Sequence, residues 1–541
     1  MMPHHLPSAV QLTCGLILTL VLTSISAAEP PTLDFLYPAG FARGTTSEKV
    51  LVAGNIDPWP VKAWVSQPGV TVEMQEEKGR LNVVVTEDVP AGVYFMRLYN
   101  DQGASAIKPF FVGTTPEKTE EESNNDAKNA KLLAGPTIVN GRLDSSADVD
   151  QFRVTASQGD VLVASLVANN FLASPMDAVL QVCDPRGLIL AQNDDEQGID
   201  PQIAFAVPAD GEYLVRLFAF PETPNSTIGF ASGNGFVYRL TITTQPFVDH
   251  LLPLAVNRNE PTELKLQGWN LAEGATLPQP ELAEGIELLQ PAASHPANAI
   301  FVKVVEIPSQ LAVSDQVQAI SLPLVLSGRI DKPRSSHRFL FEASKGKPVI
   351  AAIESRALGF PMDPRLQVID GEGKVLVDVD DAGKNRDPVL TFNPPADGQY
   401  TLVVRDLHRG GGFRYVYRLT VTQPEPDYAL SLAADMLTLK AGESVDLEVT
   451  VNRIQGFKEE IQLTVEGLPD GIEAAAVSSA AAGDSAKKVT VKISGSAEAW
   501  SGAIRIIGQV GERQRTASYA IAKTTLRRED PWLTVLPVAK E

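Results

Sequence analysis

Pro175-Met-Asp-Ala-Val-Leu-Gln-Val-Cys-Asp184 decides the fold, because it returns as Pro361-Met-Asp-Pro-Arg-Leu-Gln-Val-Ile-Asp370, at an offset of 186 residues. The similarity extends to both sides, and the flanking motifs keep their order. They are Gly141-Arg-Leu-Asp144 with Gly328-Arg-Ile-Asp331, Pro208-Ala-Asp-Gly-Glu-Tyr213 with Pro395-Ala-Asp-Gly-Gln-Tyr400, and Tyr238-Arg-Leu240 with Tyr417-Arg-Leu419. This period is longer than the roughly 20–50 residues of a solenoid unit, so it indicates a duplicated domain.

The secondary structure is predicted to be almost wholly β. Short apolar runs rich in Val, Ile, Leu, Tyr and Phe are separated by Gly, Pro, Asn and Asp, which is the pattern of β-sandwiches and barrels. The single helical candidate, Asp126–Leu133, is short. We therefore predict an all-β protein built from tandem β-sandwich modules.

The repeat and the linker composition predict the domain boundaries of this 541-residue chain, which is long enough for several domains. A polar, acidic linker precedes the first copy, and a stiff Pro-rich linker follows the second. The predicted segments are a signal peptide at 1–28, a small β-domain at 29–113, the first large copy with its acidic linker at 114–246, a second small β-domain at 247–313, the second large copy at 314–424 and a C-terminal β-domain at 425–541.

Composition excludes some partners. The chain has 66 acidic and 46 basic residues, a formal net charge of −20, whereas a nucleic-acid partner would require a basic stripe. Hydrophobic residues make up 44% of the chain, which is ample for packed cores and argues against global disorder.

The N-terminus predicts export. The apolar run Leu12–Ile25 has the length of a signal-peptide core, and the small residues that follow place the cleavage after Ala28. No later segment has 18 apolar residues, so we expect no transmembrane segment in the mature chain. We expect the protein in the periplasm, at the cell surface or outside the cell. Cys183 is then the single mature cysteine, and its alignment with Ile369 predicts a buried position rather than a reactive thiol.

The large repeat resembles the bacterial pre-peptidase C-terminal domain. The motifs that carry the resemblance in the first copy are Glu120-Glu-Glu-Ser-Asn-Asn-Asp126, Gly141-Arg-Leu143, Asp148-Val-Asp-Gln-Phe152, Ala156-Ser-Gln-Gly159, Asn193-Asp-Asp195, Pro208-Ala-Asp-Gly-Glu-Tyr213 and Tyr238-Arg-Leu240. The resemblance implies a jelly-roll β-sandwich of the kind appended to secreted peptidases. In some bacterial collagenases such modules bind substrate and take up Ca²⁺.

The three remaining domains resemble immunoglobulin-like modules. The two small ones are similar to the IPT/TIG kind, through the matching frames Pro38…Gly54 and Pro253…Gly268. The C-terminal domain also resembles an immunoglobulin-like fold. The combination is similar to multi-domain surface proteins of planctomycete-type bacteria, which implies a bacterial source.

The acidic linker predicts a calcium site in the first copy. Ca²⁺ takes six to eight oxygens from carboxylates, amides and carbonyls, and calcium-binding members of the family use linker acids with an Asp-rich turn. The resemblance therefore assigns as ligands Glu120, Glu122, Asn124, Asn125, Asp148 and Asp150. Asn125 departs from the pattern, since an acid is more typical there. The alternative is a solvated acidic linker.

The second copy is an internal control. Ser335-Ser-His337 replaces Asp148-Val-Asp150, and Val313-Ser-Asp-Gln-Val317 replaces the acidic stretch, leaving Asp315. We expect no comparable calcium site there.

A catalytic set is not evident. The four histidines of the mature chain do not recur between the copies and do not accompany a Gly-x-Ser-x-Gly motif. Asp194-Asp195 is predicted to lie in a polar turn between strands, where Asp side chains are favoured.

We therefore expect a non-enzymatic binding or adhesion protein whose partner is an extracellular protein or a polysaccharide. Phe218, Phe220 and Phe230, in and beside the loop 219–236, are candidate contacts, or else aromatic side chains that fold back onto the sandwich. The alternative is an accessory chain of a secreted peptidase, acting in folding, secretion or substrate targeting.

Overall fold

The computed structural model describes residues 29–224, 226, 229–282, 287–290 and 298–537. Strands make up 52% of the described residues and no α-helix is found among them, which confirms the all-β prediction. Two 3-10 turns, Arg356–Leu358 and Asp484–Ala486, are the helical elements among the described residues. The predicted signal peptide at 1–28 lies outside them. No helix of the described part is long and apolar enough to cross a membrane.

The first module is a sandwich of two sheets, with strand orders β1-β3-β6-β5 and β2-β9-β7-β4 and with β8 on the edge of β7. Its strands are β1 (Phe35–Tyr37), β2 (Gly40–Ala42), β3 (Thr45–Ala53), β4 (Lys62–Val65), β5 (Val70–Met74), β6 (Arg80–Val85), β7 (Gly92–Asn100), β8 (Gly103–Ala104) and β9 (Lys108–Gly113).

The first large unit has two five-stranded sheets. Its strands are β10 (Glu117–Thr119), β11 (Lys131–Leu132), β12 (Thr137–Arg142), β13 (Asp150–Ala156), β14 (Val161–Val167), β15 (Met176–Cys183), β16 (Ile189–Asn193), β17 (Gln202–Ala206), β18 (Gly211–Pro221) and β19 (Val237–Thr243). The sheet orders are β10-β12-β19-β14-β17 and β11-β13-β18-β15-β16. The helical candidate Asp126–Leu133 is not a helix: Asp126 to Ala130 forms a turn, and Lys131–Leu132 pairs with β13.

The second small module has two three-stranded sheets, ordered β20-β22-β23 and β21-β25-β24. Its strands are β20 (Phe247–Leu252), β21 (Ala255–Asn257), β22 (Glu263–Trp269), β23 (Thr276–Pro278), β24 (Leu288–Leu289) and β25 (Val302–Val305).

The second large unit repeats the strand order of the first. Its strands are β26 (Ser309–Leu311), β27 (Val317–Ala319), β28 (Leu324–Arg329), β29 (His337–Ala343), β30 (Val349–Glu354), β31 (Pro364–Ile369), β32 (Val375–Val379), β33 (Val389–Phe392), β34 (Gly398–Asp406) and β35 (Val416–Thr422). The sheets are β26-β28-β35-β30-β33 and β27-β29-β34-β31-β32. Even the register is kept, since Gly141 faces Tyr238 in the first unit and Gly328 faces Tyr417 in the second.

The C-terminal module packs back onto the first one. Its strands are β36 (Asp427–Leu432), β37 (Met436–Lys440), β38 (Ser444–Ile454), β39 (Ile461–Glu466), β40 (Ile472–Ala474), β41 (Val477–Ser479), β42 (Lys488–Gly495), β43 (Trp500–Ala503), β44 (Arg505–Val510), β45 (Arg513–Thr516), β46 (Tyr519–Ala520), β47 (Arg527–Arg528) and β48 (Trp532–Leu536). Its main sheets are β36-β38-β42-β40, β37-β48-β43 and β41-β39-β44-β45. Trp532 contacts Trp64 and Tyr99, with ring centroids 5.8 and 5.3 Å apart.

Candidate metal centre

Two chain segments of the first large unit bring its acidic residues together. The linker after β10 runs parallel to β12, where the Glu120 amide donates to the Asn140 carbonyl over 3.0 Å. The turn between β12 and β13 carries Asp144 and Asp148, and Asp150 opens β13. Because β10 and β12 are paired, the linker acids lie beside this turn.

The carboxylates form two groups that share Glu122. One oxygen each from Glu120, Glu122 and Asp150 lie within 4.8 Å of one another, and so do one oxygen each from Glu122, Asp144 and Asp148. Ca²⁺ binds oxygens at 2.3–2.6 Å, so two ligands on opposite sides of one ion are separated by about this distance.

Several polar atoms in the cluster are buried and have no hydrogen-bond partner among the described residues. They are Asp148 Oδ1, Asp150 Oδ1, and both Oδ1 and Nδ2 of Asn124. Asp148 uses its other oxygen, Oδ2, to accept the backbone N–H groups of Asp144 and Ser145 at 2.8 and 3.2 Å. Buried oxygens without a partner are costly, and a cation bound at the two carboxylate groups would satisfy those of Asp148 and Asp150.

The Tyr238 hydroxyl joins two of these carboxylates. Its oxygen lies 2.8 Å from Glu120 Oε2 and 2.6 Å from Asp150 Oδ2. A hydroxyl has a single proton to donate, so it can satisfy one of the two oxygens. The other contact places two acceptors together and requires a further proton or a cation.

The raised pKa values of the cluster carboxylates also indicate that positive charge is missing around them. Burial, followed by the charge of Asp150, raises the pKa of Glu120 to about 10. Burial also raises the pKa of Asp150 to about 7, although Tyr238 donates to it. The pKa of Glu122 is raised by burial and by the charges of Asp148 and Asp144. At a pKa of about 10, Glu120 holds a proton at neutral pH when no metal is bound.

One guanidinium lies next to the cluster. Arg142 Nη2 is 2.7 Å from Asp144 Oδ2, and the same guanidinium packs over the Tyr37 ring of the first module. A single Arg cannot balance five carboxylates, so the residues present fit a divalent cation. All the oxygen donors are hard ligands of the kind that Ca²⁺ prefers.

The structure places the six predicted ligands as follows. Glu120, Glu122, Asp148 and Asp150 belong to the two carboxylate groups, and Asn124 is buried beside them. Asn125 has an exposed side chain, and its carbonyl accepts a hydrogen bond from Gln151. Sequence reasoning missed Asp144. Its position four residues before Asp148, in the same turn, could have indicated it as a further ligand.

The second large unit has an imidazole at the equivalent position. His337 opens β29 as Asp150 opens β13, and its Nδ1 lies 2.5 Å from the Tyr417 hydroxyl. Its Nε2 lies 3.1 Å from Ser314 Oγ. Burial lowers the pKa of His337. A neutral, fully hydrogen-bonded network therefore replaces the carboxylates, and no acidic group of this kind occurs among the described residues of the unit.

The other sequence candidates have ordinary environments. Asp194 and Asp195 are exposed in the turn after β16, and Cys183 is buried with 0% of its surface exposed. Phe218 and Phe230 pack together at 4.5 Å, which leaves Phe230 39% exposed, so the loop partly folds back onto the sandwich.

Comparison with protein families identifies one domain in the chain. Residues 335–406, which run from the start of β29 to the end of β34, are a bacterial pre-peptidase C-terminal domain. A probable subtilase-type serine protease of Deinococcus radiodurans is 39% identical over 70 residues, which are 13% of this chain and 10% of that protease. The chain therefore matches a small part of that relative's length.

The solved structures that resemble this chain have low sequence identity and low TM-scores. PliG of Aeromonas hydrophila, a periplasmic inhibitor of g-type lysozyme, is 15% identical, with 24% of this chain and 96% of that chain covered and a TM-score of 0.16. SGBP-B of Bacteroides ovatus, in complex with a mixed-linkage heptasaccharide, is 9% identical, with 71% and 72% covered and a TM-score of 0.13. Scores this low carry no functional argument.

Proposed function

We propose that this protein is an exported, non-catalytic binding protein whose first large unit is held rigid by one Ca²⁺. The observation that carries the proposal is the carboxylate cluster with the buried, unpartnered oxygens of Asn124, Asp148 and Asp150. Tandem β-modules without a recognisable catalytic set support a binding role. The pre-peptidase domain at 335–406 supports export, since such domains accompany secreted proteases.

The first large unit is proposed to be a second member of the same family. Its support is the identical strand order and the repeated Gly–Tyr register. The three flanking modules are proposed to be immunoglobulin-like.

The calcium would be held by Glu120, Glu122, Asp144, Asp148 and Asp150, with Asn124 adding its amide oxygen. It would supply positive charge that neutralises the cluster and ties the linker to the β12–β13 turn. The first module would be fixed as well, because the Tyr37 hydroxyl donates to Glu120 over 3.4 Å. The spacing between the first two modules would then depend on calcium.

Calorimetric titration of the whole protein with CaCl₂ tests the site. We expect one binding event, weakened more than tenfold in Asp148→Asn. The matched control is Asp331→Asn, because Asp331 is the counterpart of Asp144 in the second unit and pairs with Arg329. No calcium binding by the unmodified protein, or equal binding by Asp148→Asn, would overturn the calcium site.

The binding role has its own test. The calcium-loaded protein is incubated with insoluble polysaccharides, protein fibres and cell-wall fractions, and the bound share is measured after sedimentation. Retention by one of these classes is expected. No retention by any of them would contradict the proposed role.

A second candidate function is favoured by the protease similarity, namely an accessory chain of a secreted peptidase. A subtilase would then be secreted or folded in larger active amounts when co-expressed with this chain. An unchanged yield of active protease would exclude this role.

A further inference from the structure

A cavity of about 390 Å³ lies where four modules meet. It is lined by the loop after β14, the equivalent loop after β30, the second small module, and the 523–525 segment of the C-terminal module. The two equivalent loops come from different copies of the duplicated unit and meet at this one space. Neither copy alone forms the cavity, so the duplication and the module between the copies create it.

Both loops are fixed by a buried aspartate. Asp200 accepts the backbone N–H groups of Ala168, Asn169 and Asn170 at 2.8–3.0 Å. Asp387 does the same for Ser355, Arg356 and Ala357 at 2.8–3.1 Å. Three charge-assisted bonds to one carboxylate hold a turn firmly, so both walls of the cavity are pre-organised.

The second small module contributes a buried imidazole. His250 lines the cavity, is 3% exposed, and has its Nδ1 2.6 Å from Asp249 Oδ2. Its Nε2 has no hydrogen-bond partner among the described residues. Asp249 is itself held by Arg414, 3.2 Å away, and by Gln202, 2.7 Å away. The ring is thus oriented from one side, and Nε2 is the polar atom left for a ligand.

The remaining lining combines apolar surface with one free cation. Phe171, Phe301, Leu358 and Phe360 supply apolar area. The Arg356 guanidinium makes no ion pair or hydrogen bond with the part of the chain that the structure describes. Other charged groups facing the cavity are compensated: Arg414 by Asp249 and Glu196, Lys523 by Glu222, and Asp200 by its three N–H bonds. Arg356 is the one cation of the described cavity lining without an ion pair, and the residue is exposed at the cavity wall.

We propose that this cavity binds a small organic carboxylate with an apolar body. The apolar part would pack among the Phe and Leu side chains, while the carboxylate would pair with Arg356 at the cavity wall. His250 Nε2 would provide a second polar contact. The volume, a lining whose surface is more apolar than polar, and the position between domains are all typical of small-molecule sites. The inference is independent of the calcium site.

Isothermal calorimetry of the whole protein with 4-phenylbutyrate, and separately with its neutral analogue 4-phenyl-1-butanol, tests the proposal. We expect both compounds to bind. In Arg356→Gln the affinity for 4-phenylbutyrate should fall about tenfold, while that for the alcohol should stay the same. Arg338→Gln, which removes an exposed arginine from the same unit outside the cavity, should change neither affinity.

A cavity-filling variant locates the binding. Ala357 lines the cavity and is exposed, so Ala357→Trp should fold and should abolish binding of both compounds. An unchanged thermal midpoint and an unchanged far-ultraviolet circular dichroism spectrum establish that the variant is folded. Absence of binding by the unmodified protein, equal loss of both compounds in Arg356→Gln, or full binding by Ala357→Trp would each overturn the proposal.

Discussion

Asn124 is a buried residue whose substitution tests the proposed calcium site. Its side chain is 3% exposed, and neither of its polar atoms has a partner among the described residues. In EDTA, Asn124→Ala should therefore change the free energy of unfolding by less than about 1 kcal/mol. In CaCl₂ it should lower the calcium affinity about tenfold, because an oxygen ligand is lost. Calorimetry and thermal unfolding measure the two effects.

Asn169→Ala is the control for this prediction. Asn169 is equally buried, but its Nδ2 donates to the Ser174 carbonyl over 3.0 Å. Its loss should destabilise the unit by about 1–3 kcal/mol, with or without calcium. If Asn124→Ala behaved in the same way as Asn169→Ala, Asn124 would not be a ligand.

Asp249 gives a pH-dependent prediction. Burial alone would raise its pKa, but the charge of Arg414 and the His250 and Gln202 hydrogen bonds lower it to about 2. The ordinary value is about 3.9, so the folded state holds the proton more weakly than the unfolded state. The carboxylate therefore contributes about 2–3 kcal/mol, fully present above pH 4 and lost as the pH falls through about 2.

The comparison of the unmodified protein with Asp249→Asn tests this contribution. Urea unfolding, followed through the transition of the second small module, should show a stability difference that is constant between pH 4 and 7. The difference should shrink as the pH is lowered from 4 towards 2. A difference that stayed the same at low pH would mean that the charge of Asp249 does not contribute.

At the scale of elements, the Tyr238 side chain of β19 lies against Gly141 of β12 and leaves no room for a Cβ, and Tyr417 does the same at Gly328. A Cβ on Gly141 would lie 2.0 Å from Tyr238 Cζ and 2.5 Å from Glu120 Oε2, and one on Gly328 would lie 2.4 Å from Tyr417 Cζ. Gly141→Ala and Gly328→Ala should each destabilise their unit by about 1–3 kcal/mol. Only Gly141→Ala should also weaken calcium binding, because it displaces Glu120. Calorimetric titration of both variants with CaCl₂ separates the loss of stability from the loss of calcium affinity. Equal calcium binding by the two variants would contradict the role of Gly141 in positioning Glu120.

Part of this architecture could be predicted from the sequence. The short apolar runs between turn residues predicted the β-strands, and the acidic stretch with the Asp-rich turn predicted four carboxylates that lie together in the structure. Asp144 was missed because its role depends on the path of the β12–β13 turn. The helical candidate Asp126–Leu133 does not form a helix, because pairing of Lys131 and Leu132 with β13 competes with local helix formation. Tertiary pairing overrides a weak local preference.

At the scale of the whole molecule, the first and last modules are joined by a buried ion pair. Arg97 is 1% exposed and lies 2.8 Å from Asp435, with its guanidinium 5.6 Å from the Trp532 ring. Arg97→Met should leave Asp435 without its partner and cost about 3–5 kcal/mol. Scanning calorimetry should show the two modules unfolding together in the unmodified protein and separately in the variant.

Arg515→Ala is the control for this contact. Arg515 pairs with Asp427 within the C-terminal module, and both side chains are well exposed. An exposed pair contributes about 0–1 kcal/mol, so this variant should keep the single joint transition. Separate transitions in the unmodified protein would show that the two modules are not coupled.

The sequence by itself determined the all-β architecture, the internal repeat and four of the five acidic residues of the candidate metal centre, because these depend on local pattern and on the spacing of motifs. Only the tertiary structure decided that the C-terminal module packs against the first and that four modules enclose a cavity. Those features bring together residues such as Arg97 and Asp435, 338 positions apart in the chain. No local pattern encodes such contacts, since they arise when apolar faces of separate modules exclude water together.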